Sequence, residues 1–201
     1  MLRIMKWLRS LGVFIGAAAW FCVMISWTGF SDPDAFYHAH MALLIWQHGP
    51  VMSFPWLDLT LVGMHFADLH FLFHLFVAPF VGLLGQFQGL RVASVILAAL
   101  FVVVFEACLH WLEIRWSVVW SILLVLLYAF LFRVLVAKAT PVALIWYVLG
   151  LTAAWKRKPW LVLLVAFAYA LSHGGWIYLI GPFAGATIAA LVFKFLNPDE
   201  K

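Results

Sequence analysis

Seven apolar segments, at about 11–29, 69–85, 90–112, 117–132, 141–155, 159–172 and 176–195, divide this chain. Between them charge is scarce. The chain is 67% hydrophobic and 10% charged, with a mean hydropathy of +1.09. A soluble domain carries about 25% charged residues. No water-facing surface can be built from so few, and backbone polar groups in lipid must be satisfied inside helices or closed barrels. Long unbroken apolar runs select helices. The expected fold is an all-α integral membrane protein, a single polytopic domain over residues 1–201.

Arg3, Lys6 and Arg9 precede the first apolar run. That run is long for a signal-peptide core, and no Ala-x-Ala site follows it. An uncleaved anchor with a cytoplasmic N-terminus fits better. The expected location is the bacterial inner (plasma) membrane.

Charge placement sets the span count. With seven spans, six basic residues fall on each side. If 69–85 does not cross, Arg3, Lys6, Arg9, Arg115, Lys156, Arg157, Lys158, Lys194 and Lys201 all lie inside. Only Arg91, Arg133 and Lys138 remain outside. Nine against three satisfies the positive-inside rule. His70, His74 and Pro79 also make 69–85 a poor lipid-facing span. The expectation is six transmembrane helices and a long first outer loop, about 30–89. Two membrane-surface helices are predicted in that loop. One has Asp32 as N-cap and Pro33 at the first helical position, and it ends at Gly49 before Pro50. The other starts near Asp68 and runs toward Pro79 or Gly82. Trp46, Phe54 and Trp56 suit an interfacial belt between them.

This topology gathers polar chemistry on one side. Asp32, Asp34, Asp58 and Asp68 fall in the first outer loop, with six of the eight histidines: His38, His40, His48, His65, His70 and His74. Arg133 and Lys138 lie at the second outer turn and His173 at the third. Paired carboxylates hold Mg²⁺ or Mn²⁺ through oxygen while leaving positions open for water or phosphate. Asp34 and His38 share a helix face. Asp32, Asp34, Asp68 and His38 are therefore candidate metal ligands, and Asp32 and Asp34 candidate catalytic acids. Arg133 and Lys138 are candidates for binding substrate phosphate. His40, His65, His70, His74 and His173 are candidates for support around them. Each has a plainer reading. Asp32 caps a helix, His38 and His40 sit at headgroup level, Arg133 and Lys138 snorkel, and His173 occupies a turn. Glu106 and His110, one turn apart, read as a local pair. Cys22 and Cys108 read as small apolar residues.

The stretch from Ser31 to about Pro79, with Asp32-Pro33-Asp34-Ala35-Phe36-Tyr37-His38 at its start, resembles the first outer loop of GT-C-type glycosyltransferases. Its nearest likeness is to the oligosaccharyltransferase catalytic-subunit branch. Arg133 and Lys138-Ala139-Thr140-Pro141, followed by a span and a basic inner loop, are similar in layout. The resemblance implies a polyprenyl-phosphate-linked sugar donor and an acid at Asp32 or Asp34 that binds a divalent metal or acts as base. It also implies a second acidic motif at the next outer turn, where this sequence has Arg133 and Lys138 and no carboxylate. Such proteins usually have about twice as many spans, so the resemblance covers their N-terminal half and implies a partner subunit or a C-terminal half.

The function expected is sugar transfer on the outer membrane face. The alternative is a non-catalytic membrane subunit or transporter-like protein whose outer His/Asp cluster binds metal or a partner. Membrane lipids are partners in either case. Nucleic acid is not, because the basic residues are scattered in short inter-span loops. No phosphate-cradling loop, dinucleotide fingerprint or zinc-protease motif occurs. The six-span arrangement predicts that a cysteine at Lys158 is labelled from the inner face. Outer-face labelling of Lys158→Cys would reject it.

Overall fold

The computed structural model describes residues 2–27, 32–54, 57 and 59–174. The described residues form helices joined by short turns, with no strand: α1 Leu2–Trp27, α2 Asp34–His48, α3 Leu61–Met64, α4 Phe71–Leu84, α5 Gln86–Trp111, α6 Ser117–Leu126, α7 Tyr128–Leu135, α8 Thr140–Trp155 and α9 Pro159–Ser172. The expected span at 176–195, Asp58 and Trp56 lie outside the described residues.

Among the described residues, two helices are long and apolar enough to cross a membrane: Trp7–Ser26 of α1 and all of α5. A third candidate is the α6–α7 pair, bent by 74°. The chain is accordingly a membrane protein. α8 has 16 residues and α9 has 14, or about 21–24 Å at 1.5 Å per residue. The hydrocarbon core is about 30 Å thick. α4, also 14 residues, is equally short.

The bend falls at Leu127, whose backbone is extended (φ −72°, ψ 120°). An extended residue interrupts the i→i−4 ladder and frees carbonyls. Trp20 Nε1 of α1 donates to the Val125 carbonyl at 3.2 Å. A donor from a neighbouring helix is how broken backbone survives in a low-dielectric setting. On the same flank Glu106 is 1% exposed. Its Oε1 accepts from Ser117 Oγ at 2.7 Å and lies 3.3 Å from Arg9. The spacing had suggested His110 as its partner. The structure instead ties α5 to α1 and α6, because a buried carboxylate is held where it has both a cation and a donor.

The first helix expected in the 30–89 stretch, α2, matches the sequence closely. Pro33 already has helical dihedrals, and Asp32 Oδ1 accepts the Asp34 N–H at 2.9 Å, so Asp32 caps α2. Gly49 ends the helix at φ 78°, its N–H bonded to the Ile45 carbonyl at 2.9 Å. Ala35, Ala39 and Ala42 line one buried face of α2. They let α2 lie close against α4 and α5, in one core with Phe73, Val77, Ala78, Val81, Leu90 and Ala93.

α4 runs past Pro79 and Gly82 to Leu84, beyond the expected end. Burial of Val77, Ala78 and Val81 outweighs the hydrogen bond lost at Pro79. Gly82 remains in the helix because the Trp46 indole fills the place of its missing side chain. Gly89 of α5 likewise lies against the backbone of Phe80 and Val81. A methyl at Gly89 therefore has nowhere to go. Gly89→Ala is expected to destabilise by roughly 1–3 kcal/mol. Gly12→Ala, where a Cβ would meet open space, should leave thermal unfolding in detergent unchanged or slightly raised. Equal unfolding temperatures for the two variants would reject the close α4–α5 approach.

Candidate functional site

The polar residues of α2, α4, the α7–α8 turn and the end of α9 meet at one end of the bundle. They form two adjoining groups.

The first is an ion triad. Lys138 Nζ lies 2.7 Å from Asp32 Oδ2 and 2.7 Å from Asp34 Oδ2. It joins the start of α2 to the turn before α8. The hydrogen bond from Lys138, with that from the Asp34 N–H, holds the Asp32 carboxyl below its ordinary pKa. The same two carboxylates raise Lys138. Asp32 and Lys138 both stay charged near neutrality. The Asp34 side chain is 60% exposed, so the triad's energetic worth is reduced by solvent.

The second group is a chain of hydrogen-bonded rings. Asp68 precedes α4, where its Oδ1 accepts the His70 N–H at 2.8 Å. Its Oδ2 lies 2.6 Å from His74 Nδ1. One turn into α4, His74 is fully buried and its Nε2 lies 2.7 Å from His38 Nδ1. His38 projects from the alanine face of α2, between Ala35 and Ala39, and is therefore buried as they are. Phe73 closes one side, 5.1 Å away edge to face. The Tyr37 ring stands edge-on to His74 at 5.6 Å. His70 flanks His38 at 5.2 Å and stacks on His173 at 5.3 Å and 18°. The Gly174 N–H lies 3.4 Å from His70 Nδ1. His173 Nδ1 is buried with no hydrogen-bond partner among the described residues.

Burial, and then the neighbouring His74, His70 and Lys138 charges, push His38 down to about 2. Burial and His173 push His70 to about 4, and burial lowers His173. Burial raises the Tyr37 hydroxyl to about 12, so it stays neutral. Lys138 and Asp32 both act electrostatically on His38, which makes the two groups one electrostatic site.

Of the residues singled out in the sequence, Asp32, Asp34 and Lys138 converge, as do Asp68, His38, His70, His74 and His173. His40 is exposed, with Gln86 Nε2 3.4 Å from its Nδ1. His65 and Arg133 are exposed and stand apart from both groups among the described contacts. The residues present do not fit a divalent cation in this arrangement. The Lys138 ammonium occupies the position between Asp32 and Asp34. Asp68 uses both oxygens on His70 and His74, and among the described residues no three His, Cys, Asp or Glu side chains are placed to hold one metal ion. The direct His38–His74 bond and the double pairing of Lys138 had no signature in the sequence. The sequence showed that Asp34 and His38, four apart, share a helix face.

No family model, curated protein or solved structure matches this chain. The glycosyltransferase likeness therefore rests on the residues quoted for it.

The His70 environment predicts a pH dependence. Unfolded, His70 takes a proton below its ordinary 6.5. Folded, it stays neutral to about 4. Between those values the unfolded state binds more protons, so stability falls as pH falls. The unfolding temperature in detergent should drop on acidification from pH 7 to pH 5, and His70→Gln should flatten that slope. An unchanged slope would contradict the buried, neutral His70.

Proposed function

We propose that this chain is a GT-C-like membrane glycosyltransferase that takes a sugar from a polyprenyl-phosphate carrier on the outer membrane face. In this reading six helices cross the bacterial inner membrane with the N-terminus in the cytoplasm, the short α8 and α9 crossing where the bilayer thins. The observation that carries the reading is the meeting of the Asp32–Lys138–Asp34 triad with the buried Asp68–His74–His38 chain. An acid motif opening a surface helix directly after the first span is also the layout that the resemblance implies.

The chemistry follows from charge and exposure. Asp34 presents a solvated carboxylate that accepts hydrogen bonds from sugar or acceptor hydroxyls. Lys138 exchanges one carboxylate for the donor phosphate and offsets the charge that grows on it as the sugar leaves. Arg133, exposed on α7, is a second cation available to a lipid phosphate. Asp32 is a poor proton acceptor, because Lys138 stabilises it in its ionised form.

Proteoliposomes containing the protein and a polyprenyl-phosphate-linked radiolabelled sugar test this reading. Wild type should transfer label to a hydroxyl acceptor. Asp34→Asn should lower the rate by about 10²-fold, the order found when one preorganised polar group is lost. Transfer unaffected by Asp34→Asn, or absent from wild type, would reject it. A second reading, a non-catalytic membrane subunit, draws on the internal satisfaction of the triad. It predicts that Asp32→Asn and Lys138→Met lower stability with no transfer to lose.

A further inference from the structure

For a neutral His74, the two short bonds of the ring chain set where its protons sit. The Asp68 carboxylate only accepts, so His74 Nδ1 carries a hydrogen. A neutral His74 then offers a lone pair at Nε2. His38 Nδ1, 2.7 Å away, must be the donor to it. The His38 proton is thereby assigned to Nδ1, and its Nε2 is left with the lone pair. Among the described residues the one hydrogen bond made by the His38 ring is at Nδ1. A carboxylate two links away thus sets the orientation and tautomer of a ring on a different helix.

We propose that Asp68, His74 and His38 form a proton relay, with His38 Nε2 as the catalytic proton acceptor for the attacking hydroxyl and with His74 and Asp68 as positioning residues. The proposal rests on the sugar-transfer reading for its reaction and on geometry for its relay. The acceptor O–H proton passes to His38 Nε2. The proton on His38 Nδ1 moves to His74 Nε2. The acceptor oxygen bonds to the sugar's anomeric carbon as the bond from that carbon to the phosphate oxygen breaks. The electron pair of that bond leaves on the polyprenyl phosphate. One carbon–oxygen bond forms and one breaks, and the proton is held on His74 until it returns through His38 to the product phosphate or to water.

The surroundings favour this division of labour. The groups facing His38 are His74 and His70 of the α4 region, Lys138 of the α7–α8 turn, and Asp32 and Tyr37 of its own helix end. Burial and the three basic neighbours disfavour a full charge on His38. His74 is the ring that touches Asp68. A captured proton therefore rests on His74, against the carboxylate, while His38 returns to neutrality. The relay stores charge one ring away from the reacting atoms. His70 and His173, stacked beside it, lack a carboxylate partner of their own among the described contacts and are not members of the relay.

Nitrogen NMR of protein labelled with ¹⁵N-histidine tests the relay without any sugar donor. Near neutral pH, wild type should show His38 and His74 both in the Nδ1–H form. Free imidazole side chains prefer Nε2–H, so these two stand out. His74→Phe should return His38 to the Nε2–H form, and Asp68→Asn should disturb both rings. In the transfer assay, His38→Gln should lower kcat by about 10²–10⁴-fold. Asp68→Asn should lower kcat, leave KM unchanged, and shift the pH profile. Wild type that transfers sugar with His38 in the Nε2–H form overturns the relay and leaves the transfer reading standing. The expected tautomers with no transfer overturn the transfer reading, and with it the catalytic role of His38, while the relay stands.

Discussion

The 2.6 Å contact between Asp68 and His74 is the interaction on which this end of the molecule depends. A carboxylate in so apolar a chain is costly to bury without partners. Here the partners are supplied by the helix that Asp68 introduces. One oxygen takes the His70 N–H at the entry to α4, and the other takes the ring of the next turn. The second ring nitrogen of His74 then reaches α2 through His38. His70, turned by the same entry, stacks on His173 beyond α9. Three elements distant in sequence are oriented by one side chain.

Much of this was legible in the sequence because apolar chains punctuate sharply. Asp32-Pro33 and Gly49-Pro50 set the ends of α2 by capping and φ restriction, which act locally. The collection of acids and histidines between the first apolar segment and the one beginning at 90 was plain in the sequence. What could not be read was register between helices. Nothing local says that His74 meets His38 rather than another ring. Nor does anything local say that Lys138 settles between two carboxylates instead of standing free for phosphate. The continuation of α4 past Gly82 to Leu84 was not read for a related reason, since burial of Val77 and Val81 is a tertiary effect that carries the helix through Pro79.

The opposite flank solves a different problem. There the chain sets two costly groups inside an apolar bundle, the Glu106 carboxylate and the Val125 carbonyl beside the break at Leu127. Both are met from α1, by Arg9 and by Trp20. The first span is thus more than an anchor. It completes the hydrogen bonding of helices that follow it by about a hundred residues, with Trp20 and Val125 being 105 apart.

The alanine face of α2 carries a last implication, for precision. Ala35, Ala39 and Ala42 have no side-chain torsions to freeze and none to relax. A seat made of larger residues would let α2 shift as neighbouring rotamers exchanged. On alanine the helix rests backbone-near against α4, and its freedom to slide or roll is small. Hydrogen bonds near 2.7 Å tolerate little drift. The His38 ring is held by this low-entropy seat together with its own bond to His74.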